Sequence, residues 1–189
     1  GIGKHPFHVK NTMKLDAIRS EIDLLGLDEL DRNVALTSLI LALDKVDNTL
    51  GHYAAYLKEW PNRAFKEMNL EIPHMIVNTR ENEVYKSDIL KFTSKEKYDL
   101  VYMDPPYGSN NEKMPPSRVR YSAYYHIWKT VVLNDKPELF GASNRREDSR
   151  DKIAGSSFEE FRRSPETNRF IALEAIEKAI ERINCRYLL

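Results

Sequence analysis

Between residues 12 and 25 the apolar side chains Leu15, Ile18, Ile22 and Leu25 recur every three or four positions with polar residues between them, and Gly26 follows. This pattern predicts an amphipathic helix with a glycine stop. A second helix is expected over 31–49, with Leu36, Leu39, Ile40, Leu43 and Val46 on one face and Asp31 or Asn33 as cap. Its richer apolar face predicts a buried position. After Gly51, residues 53–60 read as a short helix broken by Pro61-Asn62. Residues 75–86 read as two short strands around a turn at 78–82. The run Lys97-Tyr98-Asp99-Leu100-Val101-Tyr102-Met103, ending at a double proline, reads as a strand buried in a parallel sheet.

Beyond that strand, residues 108–117 are polar and rich in turn formers, which predicts a loop. A helix is expected over 121–133 and a long, charged surface segment over 134–163. Within that segment Arg145 and Arg146, beside Glu147 and Asp148, read as a solvated charge run. A last helix is expected over 165–184, with Leu173, Ile176, Ile180 and Ile183 on one face, and a strand begins at 187–189. Neither internal repeats nor low-complexity tracts are present, so the expectation is one α/β domain. Residues 1–72 form its mainly helical region and 73–189 its α/β portion.

Composition narrows the classes. Of 189 residues, 41% are hydrophobic and 31% charged, the balance of a chain that buries one core. Lys and Arg total 29, as do Asp and Glu, so any nucleic-acid surface must be a local patch. Apolar runs fall far short of the roughly 20 residues that span a bilayer. The first residues lack the apolar core of a secretory signal, and the single Cys185 cannot form an internal disulfide. The expectations are no membrane span, a cytoplasmic location, no metal site, and a buried structural thiol at Cys185.

The candidate chemistry lies at Asp104-Pro105-Pro106-Tyr107, where the strand ends, and open α/β sheets bind ligands at the carboxyl ends of their strands. An exocyclic amino group on a base is a poor nucleophile because its lone pair is delocalised into the ring. Two acceptors aimed at its hydrogens localise that pair on nitrogen: the Asp104 carboxylate and the Pro105 carbonyl. The proline pair, with φ fixed and no backbone donor, holds the corner rigid. Tyr107 offers a ring on which an unstacked base gains about 1–3 kcal/mol. The nitrogen can then attack the methyl group of a sulfonium donor in line.

Downstream, residues 113–129 carry Lys113, Arg118, Arg120 and Lys129 with no acid among them, interleaved with Tyr121, Tyr124, Tyr125 and Trp128. Part of this stretch is accounted for by a solvated loop and core aromatics. Arg118 and Arg120 are the candidate DNA contacts. His126 reads as a member of a packed helix face rather than a general base.

With these residues in view, the chain resembles the adenine-N6 DNA methyltransferases of bacterial restriction-modification systems and their solitary relatives. Residues 101–107 match that family's catalytic motif. Lys86-Ser87-Asp88-Ile89-Leu90 is similar to the segment whose acidic residue binds the cofactor's adenine, and 120–126 to the basic, aromatic stretch after the catalytic loop. Residues 11–19 and 44–60 resemble helices that precede the catalytic strand in some members. The resemblance implies part of a Rossmann-like, S-adenosylmethionine-dependent sheet with a helical insert toward the N-terminus, where target recognition resides. It implies catalytic Asp104, Pro105, Pro106 and Tyr107, cofactor contacts at Asp88 and Ile89, double-stranded DNA as substrate and a cognate restriction endonuclease as partner. For Asp88 a plain turn or helix cap is the other reading.

The family's Phe-x-Gly-x-Gly cofactor turn has no counterpart in these 189 residues. The chain is therefore expected to be a portion of a longer enzyme, with little activity alone. An RNA base amino-methyltransferase and an inactive DNA-binding remnant are the alternative functions.

Overall fold

The computed structural model describes residues 5–92, 96–106, 121–150 and 156–189. The chain forms two compact units, Gly1–Val77 with Ser122–Arg150, and Asn78–Tyr121 with Asp151–Leu189.

In the first unit, helix α1 (Val9–Leu24) begins three residues before the periodic pattern. Past its end Gly26 takes a φ of +61°, a conformation glycine adopts without a Cβ clash. Helix α2 (Glu29–Asp44) starts earlier than expected because Asp28 is its cap, its carboxylate accepting the Asp31 N–H at 2.9 Å. It also ends earlier. Asp47 makes an antiparallel bridge with Phe7, and the Asn48 N–H donates to the Pro6 carbonyl at 2.8 Å, so 45–49 leaves the helix to pair with the N-terminal segment. Leu36, Leu39 and Leu43 of α2 pack with Ile22, Phe7, Val46, Tyr53, Met68 and Val131 as one apolar core.

Two polar residues on the buried side of α1 do what periodicity does not reveal. Asn11 donates to the Lys66 carbonyl at 3.0 Å and accepts the Met68 N–H at 3.1 Å, bracing the chain after the 3₁₀ turn Asn62–Phe65. Arg19 donates to the carbonyls of Val131 (2.6 Å) and Val132 (3.2 Å), a cation on backbone oxygens that no helix turn satisfies.

The short helix expected over 53–60 does not form. Its backbone is used elsewhere, with the Tyr53 N–H donating to the Tyr124 carbonyl at 2.9 Å and the Leu57 N–H to the Asn48 carbonyl at 3.0 Å. The helix expected over 121–133 divides at Tyr125 into α3 (Tyr121–Tyr124) and α4 (His126–Leu133), which closes on a left-handed Asn134. Residues 139–146 form a hairpin of β2 (Leu139–Phe140) and β3 (Arg145–Arg146).

Here the charge-run reading of Arg146 is corrected. Its side chain is buried, clamped by Asp135 at 2.5 and 2.7 Å and by Asp148 at 3.1 and 3.3 Å. Of the two acids expected to balance it in solvent, Asp148 holds it in the interior together with Asp135 while Glu147 pairs with Arg150, and the surface segment expected over 134–163 contains buried Arg146, Ser149, Phe158, Glu159 and Glu160.

The second unit is built around a parallel pair, β1 (Tyr98–Val101) and β4 (Cys185–Leu188), in the register Tyr98↔Cys185, Leu100↔Tyr187 and Val101↔Leu188. The strand and its parallel partner follow the expectation, but β1 is not buried, since Tyr98 and Leu100 face solvent. The strands expected within 75–86 are absent because no ladder pairs them. Val77 and Val84 are 93% and 96% exposed, and high β-propensity without a neighbour gives extended chain. Cys185 is half-buried.

Helix α5 (Ile171–Arg182) also departs from the pattern. It buries Ala172, Ala175 and Ala179, while Leu173 and Ile180 stay exposed. The alanines let the Phe158 ring approach the helix, and Leu90, Met103 and Ile176 close around it.

Candidate functional site

A cavity of about 1090 Å³ opens in the second unit, and its walls bring together segments far apart in sequence. Asp88 and Ile89 line it, as do Asp104, Pro105 and Pro106. Tyr107, Arg118 and Arg120 lie outside the described residues.

The catalytic candidates owe their position to β1. The Met103 N–H donates to the Leu189 carbonyl at 2.8 Å and the Leu189 N–H to the Val101 carbonyl at 2.9 Å, extending the ladder to the residue before Asp104. There proline removes the donors that further pairing needs. The chain turns off the sheet with Asp104 exposed and both prolines half-buried.

Asp88 sits in a tight turn. Its Oδ1 accepts the Leu90 N–H at 3.0 Å, and its carbonyl accepts the N–H groups of Lys91 (2.9 Å) and Phe92 (2.8 Å). The turn-cap reading of Asp88 thus describes one of its oxygens. The other, Oδ2, has Lys91 Nζ at 4.0 Å, and half of the side chain remains exposed. Arg182 of α5 donates to the Leu90 carbonyl and anchors the turn. Leu90 and Met103 both pack against the cluster of Phe158, Ala175 and Ala179, which joins this turn to the residue preceding Asp104.

The wall formed by Ser156, Ser157, Phe158, Glu160 and Arg162 escaped the sequence reading, which assigned it to a surface segment. Its signal was slight: Ser156 accepts the Phe158 N–H at 3.2 Å as a cap, and Phe158 is an aromatic set among charges. Glu160 is buried and Arg162 exposed. The Glu160 carboxylate accepts the Arg162 N–H at 3.0 Å and its guanidinium at 2.8 Å, which keeps the guanidinium charged. Glu159 accepts the Tyr121 N–H at 2.7 Å.

His126 belongs to the first unit's interior, as expected of a packed residue. Its Nε2 lies 3.0 Å from the Tyr53 carbonyl, and burial pushes its pKa down, so the ring is neutral and donates there. Among the described residues no cluster of His, Cys, Asp and Glu could hold a metal ion, and no helix is long and apolar enough to cross a membrane.

Comparison with known proteins bears on this site. A family model described as D12 class N6 adenine-specific DNA methyltransferase matches residues 5–179. The modification methylase StsI of Streptococcus sanguinis is 34% identical over 137 residues, 70% of this chain and 20% of that protein. The type II methyltransferase M.FokI of Planomicrobium okeanokoites is 31% identical over 144 residues, 74% of this chain and 21% of its own. M.NlaIII of Neisseria lactamica, also a type II methyltransferase, is 29% identical over 161 residues, 83% and 46% of the two chains. The chain thus spans between a fifth and under half of these relatives. No solved structure matches it.

Proposed function

The chain belongs to the D12 class of N6 adenine-specific DNA methyltransferases, and from that premise we infer that it carries the catalytic corner of an enzyme methylating adenine N6 in double-stranded DNA. The observation that carries this reading is that Asp104, Pro105 and Pro106 share one cavity with Asp88 and Ile89. An acceptor corner and a nucleoside-binding turn on one cavity are what methyl transfer to a base amino group requires.

The cofactor of this chemistry is S-adenosylmethionine, which supplies an electrophilic methyl group on a sulfonium when bound. The residues present fit its adenosine end. Asp88 offers a carboxylate oxygen beside the one held by the turn, suited to an adenine amino group, while Ile89 and Phe158 supply apolar surface. At about 1090 Å³ the cavity is at the upper end for small-molecule sites, which leaves room for a target base as well. No residue here is assigned to the methionine end, because the chain has no Phe-x-Gly-x-Gly turn.

In this reading Asp104 and the Pro105 carbonyl accept the two N6 hydrogens of an adenine turned out of the duplex. They draw the nitrogen lone pair out of ring conjugation, and Asp104 balances the positive charge that develops on nitrogen. Tyr107 stacks on the base, and Arg118 and Arg120 contact the DNA. The β1–β4 pair is part of a Rossmann-like sheet, and the helices of 1–72 contribute to target recognition. A cytoplasmic enzyme with a cognate restriction endonuclease completes the picture.

The test is methyl transfer by a version of the protein in which a glycine-rich cofactor segment precedes residue 1. Duplex DNA is the expected acceptor, and methylation of RNA alone would transfer the assignment to the RNA alternative.

A further inference from the structure

Resting on the DNA-methyltransferase reading, we propose that Arg162 is a backbone-phosphate contact of the catalytic cavity, receiving a phosphodiester of the DNA strand that delivers the target base. Among the described residues, the charged side chains lining this cavity are Asp88, Glu96, Asp104 and Glu160 on one side of the balance and Arg162 and Arg182 on the other. Such a surplus of acid opposes the approach of a polyanion, so a DNA strand reaching Asp104 needs a cation at the same cavity. Arg182 donates to the Leu90 carbonyl and so belongs to the Asp88 turn. Arg162 has capacity to spare. Among the described residues, the one partner of its five guanidinium hydrogens is Glu160, at 2.8 Å from Nη2, and its side chain is 79% exposed.

The guanidinium is also fixed in place. The Glu160 side chain is 9% exposed, and the same carboxylate holds the Arg162 N–H. The backbone beneath is pinned to α5, since the Ala172 N–H donates to the Glu160 carbonyl at 2.9 Å and the Ile171 N–H to the Arg162 carbonyl at 3.1 Å. A planar fork with free N–H donors, held at the rim of a cavity that contains an amino-group acceptor, suits the paired oxygens of a phosphate.

The experiment titrates the 189-residue chain, Arg162→Gln and Arg162→Lys with a short adenine-containing duplex across a salt series, and measures S-adenosylhomocysteine binding in parallel. Neutralising one phosphate contributes about 0.9 to the slope of log affinity against log salt. Arg162→Gln should therefore flatten the slope by about 0.9 and weaken binding several-fold for any duplex sequence. Arg162→Lys should keep the slope and lose less affinity. Unchanged slope and affinity in Arg162→Gln, with wild-type binding intact, would overturn the assignment and leave the DNA reading standing. Loss of S-adenosylhomocysteine binding with the DNA slope unchanged would also overturn it, placing Arg162 on the cofactor carboxylate. If the wild-type chain bound duplex DNA with no salt dependence at all, the DNA reading would fall and the proposal with it.

Discussion

Arg146 and His126 show how single side chains govern the first unit. Arg146 is buried and holds two half-exposed carboxylates, and together with Lys129 it draws the Asp148 pKa down to about 2. A depressed carboxylate adds stability that is present above its ordinary value of 3.8 and is lost as pH falls toward about 2. Arg146→Met should lower unfolding stability by about 1.5–3 kcal/mol at neutral pH, from lost charge-assisted hydrogen bonds, and by less as Asp148 protonates. Urea melts at several pH values read this directly. His126 gives a second window. Its folded pKa lies below the ordinary 6.5, so the unfolded chain takes up a proton that the buried ring refuses, and stability should fall as pH drops below about 6.5. A His126→Gln variant with a flat stability profile between pH 7 and 5 is the expected result; an unchanged slope would assign the effect to other groups.

At the level of elements, the helices of the first unit are joined by polar side chains that no hydrophobic pattern could reveal. Arg19 of α1 serves the carbonyls of Val131 and Val132, and Asn11 braces 66–68. Asn11→Ala should cost about 1–3 kcal/mol by leaving the buried Met68 N–H without its acceptor, measurable by thermal unfolding. In the second unit α5 meets Phe158 through Ala175 and Ala179, so Ala179→Leu should overpack that contact for about 1–3 kcal/mol and disturb both Leu90 and Met103. Such a variant should lose S-adenosylhomocysteine affinity as well as stability. Helix positions were legible because a 3.6-residue period writes itself into the sequence. Their ends were not, because Asp28 capped α2 earlier than Asp31 or Asn33 would have, and tertiary hydrogen bonds unwound 45–49 and 53–60. The apolar face read for α5 misled for a similar reason: the alanines, weak in any hydrophobic pattern, were the ones small enough to take a ring.

Across the whole molecule, the motif read most easily was the one set by chemistry rather than packing. Asp104-Pro105-Pro106 follows a strand that pairs in parallel, and it shares a cavity with Asp88 and Ile89, residues singled out by resemblance. The wall from Ser156 to Arg162 was illegible because its residues act through long-range contacts with α5 and through packing with Leu90 and Met103, which a charged, turn-rich sequence does not announce. Tyr98 and Leu100 of the parallel strand β1 are exposed, and the chain covers 20% to 46% of the relatives described. The most direct measurement is digestion and mass analysis of duplex DNA incubated with S-adenosylmethionine and the glycine-segment-extended protein, wild type beside Asp104→Ala. The account predicts N6-methyladenine with the wild type and a loss of at least about 10²–10³-fold with Asp104→Ala. Equal yields of N6-methyladenine from both proteins would contradict it.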